Sequence, residues 1–164
     1  MEENKKINLK NVQFICWLVG FIDAEGSFQT YLRSNKTSYS IGYGFQIGLS
    51  NKDLKLIELL QKALNIGKIY LYEEKKEAKL DLSVNSELTW LIENIFSKYP
   101  LLTQHQATRC EYIKKGLLEK KKVNSPEEFK EFIDSIKIIP DISFILTTLA
   151  KNTFPAREDD YFKY

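Results

Sequence analysis

Apolar positions along this chain follow two different periods, and the change between them marks its organisation. From Val12 to Ile22 the apolar residues Val12, Phe14, Ile15, Trp17, Leu18, Val19, Phe21 and Ile22 predict a helix over 12–25, apolar nearly all round, with Asn11 as its cap. A helix of that kind belongs in an interior or an interface. Within it Cys16, Gly20 and Ala24 are spaced by four and line one narrow stripe of small side chains along which a second backbone could approach. A mid-helix Gly costs about 1 kcal/mol relative to Ala, which close packing would offset. An ordinary buried helix with an incidental glycine is the alternative.

At Gly26 the period falls to two. Ser27, Gln29, Tyr31 and Arg33 alternate with Phe28, Thr30 and Leu32, a turn follows at Asn35 to Ser38, and a second strand over 39–49 places Ile41, Tyr43, Phe45, Ile47 and Leu49 on one face. The other face carries Ser40, Gly42, Gly44, Gln46 and Gly48, unusually low and polar for a solvated surface and shaped to admit something large. A helix over 53–65, capped by Asn51 or Asp53, covers the sheet. Gly67 opens a second hairpin, with Lys68, Tyr70 and Tyr72, a charged turn over 73–77, and Lys79, Asp81 and Ser83. Helices are expected over 86–97, 103–121 and 125–138, the last beginning with a cap, a first-turn proline and a capping-box Glu. The order α, ββ, α, ββ, then helices predicts an α+β fold: a four-stranded antiparallel sheet backed by helices. We expect one domain over 1–140 and a C-terminal segment over 141–164, with a short helix at Ile142 to Leu149 and a loose tail over 151–164.

Composition narrows the partners. The chain has 164 residues, 43% apolar and 28% charged, the balance of a compact domain rather than a disordered one. No apolar run is long enough for a membrane span, and Met1 to Asn11 lacks the apolar core of a signal peptide, so an intracellular or organellar protein without a membrane partner is expected. Cys16 and Cys110 form no disulfide framework or zinc cluster, and both are expected to be buried thiols. Net charge is only +2, but residues 27–83 carry nine basic against six acidic groups, so the surplus lies in the middle third of the chain.

The segment Leu18-Val19-Gly20-Phe21-Ile22-Asp23-Ala24-Glu25-Gly26 resembles the signature of the LAGLIDADG homing endonucleases. Gly44-Phe45-Gln46-Ile47 running into Asn51-Lys52-Asp53, then Ile66-Gly67-Lys68-Ile69 and Tyr99-Pro100-Leu101-Leu102-Thr103-Gln104, are similar to the following blocks of the organellar intron-encoded members. The resemblance covers about residues 12–135. It implies the αββαββα fold with a saddle-shaped sheet, and a site-specific double-strand break in DNA with short 3′ overhangs. With a single motif copy it further implies a homodimer, joined through Cys16, Gly20 and Ala24, on a near-palindromic target.

A carboxylate at the end of a helix faces carbonyls without helical partners, so Glu25 and the Ala24 carbonyl form an oxygen site suited to Mg2+ or Mn2+. The resemblance makes Asp23 mainly structural and assigns the metal to Glu25. It places a lysine where Thr103-Gln104-His105-Gln106 stands, so His105 is a candidate for ordering or protonating water; a helix-start His without a catalytic role is the alternative. Lys98 is a competing cation. Leu49 stands where some members carry a polar, water-binding residue.

The DNA-reading surface is then Ser27, Gln29, Tyr31, Arg33, Ser40, Gly42, Gly44, Gln46, Lys68, Tyr70, Tyr72, Lys79, Asp81 and Ser83, with Arg33 suited to guanine, Gln29 and Gln46 to adenine, and Asp81 to cytosine. The run Lys120-Lys121-Lys122 could reach flanking phosphates. Two other functions fit the same scaffold: an RNA maturase assisting the splicing of its own intron, and a non-cleaving DNA-binding protein. A carboxylate retained at Glu25 favours the nuclease.

Overall fold

The computed structural model describes residues 11–136, so the expected helix at Ile142 to Leu149, the tail and the boundary at 140 lie outside the described residues. Asn11 accepts a hydrogen bond from the Phe14 amide and starts α1 (Val12–Glu25), which passes directly into β1 (Gly26–Ser34). A tight turn, closed by the Asn35 amide on the Ser38 carbonyl, leads to β2 (Tyr39–Ser50). A 3-10 turn and α2 (Leu54–Leu64) follow, then β3 (Lys68–Tyr72), β4 (Glu77–Leu82), α3 (Asn85–Leu91), α4 (Gln104–Leu118) and α5 (Pro126–Asp134). The sheet is antiparallel throughout in the order β1-β2-β4-β3, so the hairpins join through β2 and β4. The order αββαββα is the one expected.

Alternation decides which sheet face is buried. Phe28, Tyr43, Phe45, Ile47, Ala78, Leu80 and Leu82 turn inward and meet Ile57, Leu60 and Leu64 of α2, Leu88 and Leu91 of α3, and Ile15, Leu18, Val19 and Ile22 of α1. Burying a side chain of that size contributes about 1.5–3 kcal/mol, which makes this shared layer the main stabilising element. Tyr43 lies over Gly116 of α4 so closely that a Cβ there would overlap its hydroxyl. That hydroxyl has no hydrogen-bond partner, and burial pushes its pKa up to about 12.

Several expectations are corrected. Neither Asn51 nor Asp53 caps α2 with its side chain; Ser50 accepts from the Lys52 amide and starts the 3-10 turn instead. The third helix becomes π-helical over Ile92–Phe96, where Asn94 and Ser97 bond back to the carbonyls of Trp90 and Glu93 and widen the turn. The helices expected over 103–121 and 125–138 are shorter, ending at Leu118 and Asp134. Glu128 reaches the Asn124 amide, one residue before the Ser125 cap, a displaced version of the capping box. Cys16 is exposed; only Cys110 is buried, its thiol pushed up to about 12 mainly by desolvation. Among the described residues no helix is long and apolar enough to cross a membrane.

Candidate nucleic-acid interface and acidic site

One side of α1 has no partner among the described residues. Ile15, Leu18, Val19 and Ile22 face the core, whereas Val12, Cys16, Trp17, Gly20 and Ala24 are exposed, with Trp17 stacked on Phe21. A Cβ built on Gly20 would meet nothing within 4 Å. Among the described residues, therefore, no packing offsets the helical cost of Gly20, and the stripe of small residues lies open.

The end of α1 is tied to the start of α4. Asp23 accepts from the Leu102 amide at 2.6 Å, the Thr103 hydroxyl at 2.7 Å and the Thr103 amide at 3.2 Å. Thr103 in turn caps α4, and Gln106, only 6% exposed, donates its amide to the carbonyls of Gly26 and Asp23. Asp23 is thus spent on structure, as the resemblance implies. Hydrogen bonds to a charged acceptor contribute about 1.5–3 kcal/mol each, with losses less than additive. Asp23→Ala is expected to destabilise the domain by roughly 3 kcal/mol in denaturant unfolding, and Asp23→Asn by less.

Glu25, two residues on, is exposed and has no hydrogen bond or ion pair among the described residues. His105 is exposed at the second residue of α4, so the Asp23 tie brings its helix end to the same junction, although Gln106 is the residue that reaches α1. The sequence reading missed Gln106; its contacts lie about 80 residues away in the chain, and no local pattern signals them. Among the described residues no three His, Cys, Asp or Glu side chains cluster as a metal site. One free carboxylate beside last-turn carbonyls fits part of the oxygen set of a hard divalent cation, the rest having to come from another molecule.

The polar sheet face holds together as expected. Register aligns Ser27, Gln46, Asp81 and Lys68 in one cross-strand row, Gly48, Lys79 and Tyr70 in another, and pairs Gln29 with Gly44, Tyr31 with Gly42, and Arg33 with Ser40. Gly42 and Gly44, expected on the DNA-reading surface, do not reach outward to it. Both are buried, Gly42 under Tyr31 and Arg33 and Gly44 beside Gln29, so they give those longer side chains a bed. Ser83 lies one residue past the end of β4, exposed. Lys79 is held by Glu77 at 3.4 Å and lies over the Tyr72 ring. Beyond the free edge of β1, a cleft of about 570 Å³ separates Gln29 and Tyr31 from Arg109 and Tyr112 of α4.

Comparison with known proteins agrees with this architecture. A family model described as LAGLIDADG endonuclease matches residues 18–115. The chain is 32% identical over 104 residues to a probable intron-encoded endonuclease 3 of Neurospora crassa, the match covering 61% of this chain and 19% of that protein. The LAGLIDADG meganuclease I-CpaMI, solved bound to uncleaved DNA, is 30% identical with a TM-score of 0.62, covering 86% of this chain and 48% of that one. I-SmaMI, solved on an uncleaved DNA target in the presence of calcium ions, is 29% identical with a TM-score of 0.58, covering 74% and 40%. The chain therefore spans about a fifth of the curated relatives it matches and under half of these solved structures. With the signature helix, the antiparallel sheet and the match over residues 18–115 in agreement, this chain belongs to the LAGLIDADG endonuclease family.

Proposed function

We propose that this chain, paired with a second copy through the open stripe of α1, is a site-specific DNA endonuclease that hydrolyses both strands of a long, near-palindromic duplex and leaves short 3′ overhangs. The observation that carries this reading is the unpartnered Glu25 carboxylate at the end of α1, next to a helix face with room for another backbone. A homodimer sets two such carboxylates about one dyad, each serving one strand. I-CpaMI and I-SmaMI were solved bound to DNA, the latter in the presence of calcium ions, which supports duplex DNA as the partner and a divalent cation in the reaction.

Glu25 and the Ala24 carbonyl would hold Mg2+ or Mn2+, which supplies charge neutralisation at the scissile phosphate and a more acidic water. The residues of the polar face orient the duplex, and the first hairpin sets the length of the site. β1 and β2, nine and twelve residues long, span about 30–40 Å, or roughly 10 base pairs per copy. His105 orders or protonates water near the leaving oxygen. His105→Ala is expected to slow single-turnover cleavage by roughly a hundredfold, and an unchanged rate would leave it a helix-start residue only. A mitochondrial relative from Saccharomyces cerevisiae, 36% identical over 106 residues, fits expression within an organelle, mitochondrion or chloroplast.

The test is selection from a randomised duplex library of about 22 base pairs, bound in Ca2+ and then exchanged into Mg2+ to recover cut ends. Cut, near-palindromic sequences with staggered 3′ ends are expected. Binding without cutting would make the protein a non-cleaving DNA-binding protein, and no DNA selection with affinity for intron RNA would make it a maturase.

A further inference from the structure

We propose that Tyr31 holds Arg33 as a preset reader of guanine at the outer part of the half-site, with Gly42 as the bed on which the pair rests. This rests on the DNA-reading role proposed above for the polar face. Arg33 Nη2 donates to Tyr31 Oη at 2.9 Å, and the guanidinium carbon stands 5.3 Å from the Tyr31 ring centroid. Register sets Tyr31 opposite Gly42. A Cβ at Gly42 would fall 2.5 Å from the Tyr31 ring and 2.6 Å from Arg33 Nε, so both side chains lie flat across that backbone and any larger residue would lift them.

Holding an arginine in this way has a consequence for recognition. A free, exposed arginine loses rotamer freedom when it binds, whereas one already positioned loses less and meets its ligand in one orientation. Arginine has five N–H donors, of which Tyr31 takes one on Nη2, leaving four for a ligand. Two such donors in the guanidinium plane are what pairs with O6 and N7 of guanine. Among the described residues no carboxylate pairs with Arg33, so its charge is unspent. The second hairpin offers a contrast: Lys79 lies over Tyr72 above Gly48, but Glu77 already neutralises it. Of these two arrangements, it is Arg33 that combines a side-chain partner with a charge no carboxylate pairs among the described residues.

The position follows from strand geometry. Arg33 lies seven residue steps along β1 from Gly26, beside the acidic site. At about 3.3 Å per residue this is roughly 23 Å, or about seven base pairs from the cleavage centre.

The experiment measures binding of the wild-type dimer to its selected duplex and to a panel replacing each base pair in turn, repeated for Tyr31→Phe, Arg33→Ala and Arg33→Lys. Wild type is expected to prefer guanine by roughly tenfold to a hundredfold at one position about seven pairs out in each half-site. Arg33→Ala and Arg33→Lys flatten that position alone. Tyr31→Phe, which keeps the ring and loses the oxygen, is expected to lower the preference there by about threefold or more, with the remaining profile and Tm unchanged. A Tyr31→Phe profile identical to wild type, or one weakened evenly at all positions, overturns the positioning role. A wild-type protein that selects no duplex overturns the DNA-reading proposal itself, and this inference with it.

Discussion

Glu25→Gln is expected to abolish cleavage of the selected duplex while leaving affinity for it within about tenfold, measured by single-turnover cleavage in Mg2+ and by binding in Ca2+. The substitution keeps size and shape and removes only the charge. Because Glu25 is exposed and bonded to nothing among the described residues, its replacement breaks no fold contact, and Tm should hold. Two acidic residues in the last turn of a helix are unfavourable with its dipole. Asp23 offsets this by accepting three donors from Leu102 and Thr103, whereas Glu25 has no such compensation among the described residues. Full activity in the glutamine variant would remove the metal assignment from Glu25.

Gly20→Leu should separate association from folding. A Cβ at Gly20 meets nothing within 4 Å, and leucine is a better helix former by about 0.8 kcal/mol, so the isolated chain should be at least as stable as wild type. Across a two-fold helix pair the same side chain would enter the stripe from both copies and wedge the backbones apart, and overpacking on that scale costs several kcal/mol. The expected result is a folded, monomeric and inactive protein by sedimentation and cleavage assay. Cys16, in the same stripe, should alkylate in this monomer and be protected in the wild-type dimer, while the buried Cys110 stays inert in both. A Gly20→Leu protein that remains dimeric and active would show that the stripe is not the interface.

The fold was largely legible because alternation leaves few choices. Ile41, Tyr43, Phe45 and Ile47 cannot share an inward face without turning Ser40, Gly42, Gly44 and Gln46 to the other, and one residue of slip would bury the wrong set. The nine-residue signature placed Asp23 and Glu25 at a helix end, and that is where they stand. What escaped depends on partners distant in sequence. A helix apolar all round does not declare which side faces the core, so Cys16 read as buried. Gly42 read as an open position, because only cross-strand register reveals that Tyr31 and Arg33 fill the space above it. The π turn after α3 arises from side chains of Asn94 and Ser97 bonding to nearby carbonyls, a competition with the helix that hydrophobic spacing does not report.

The central claim is that one Glu25 from each of two copies cuts one strand each. Its most direct test is strand-resolved cleavage by a purified mixed dimer, one copy wild type and the other Glu25→Gln, on the selected duplex in Mg2+. The account predicts a nick in a single strand, with the double-strand break lost and binding retained. A mixed dimer that breaks both strands at the wild-type rate would contradict it.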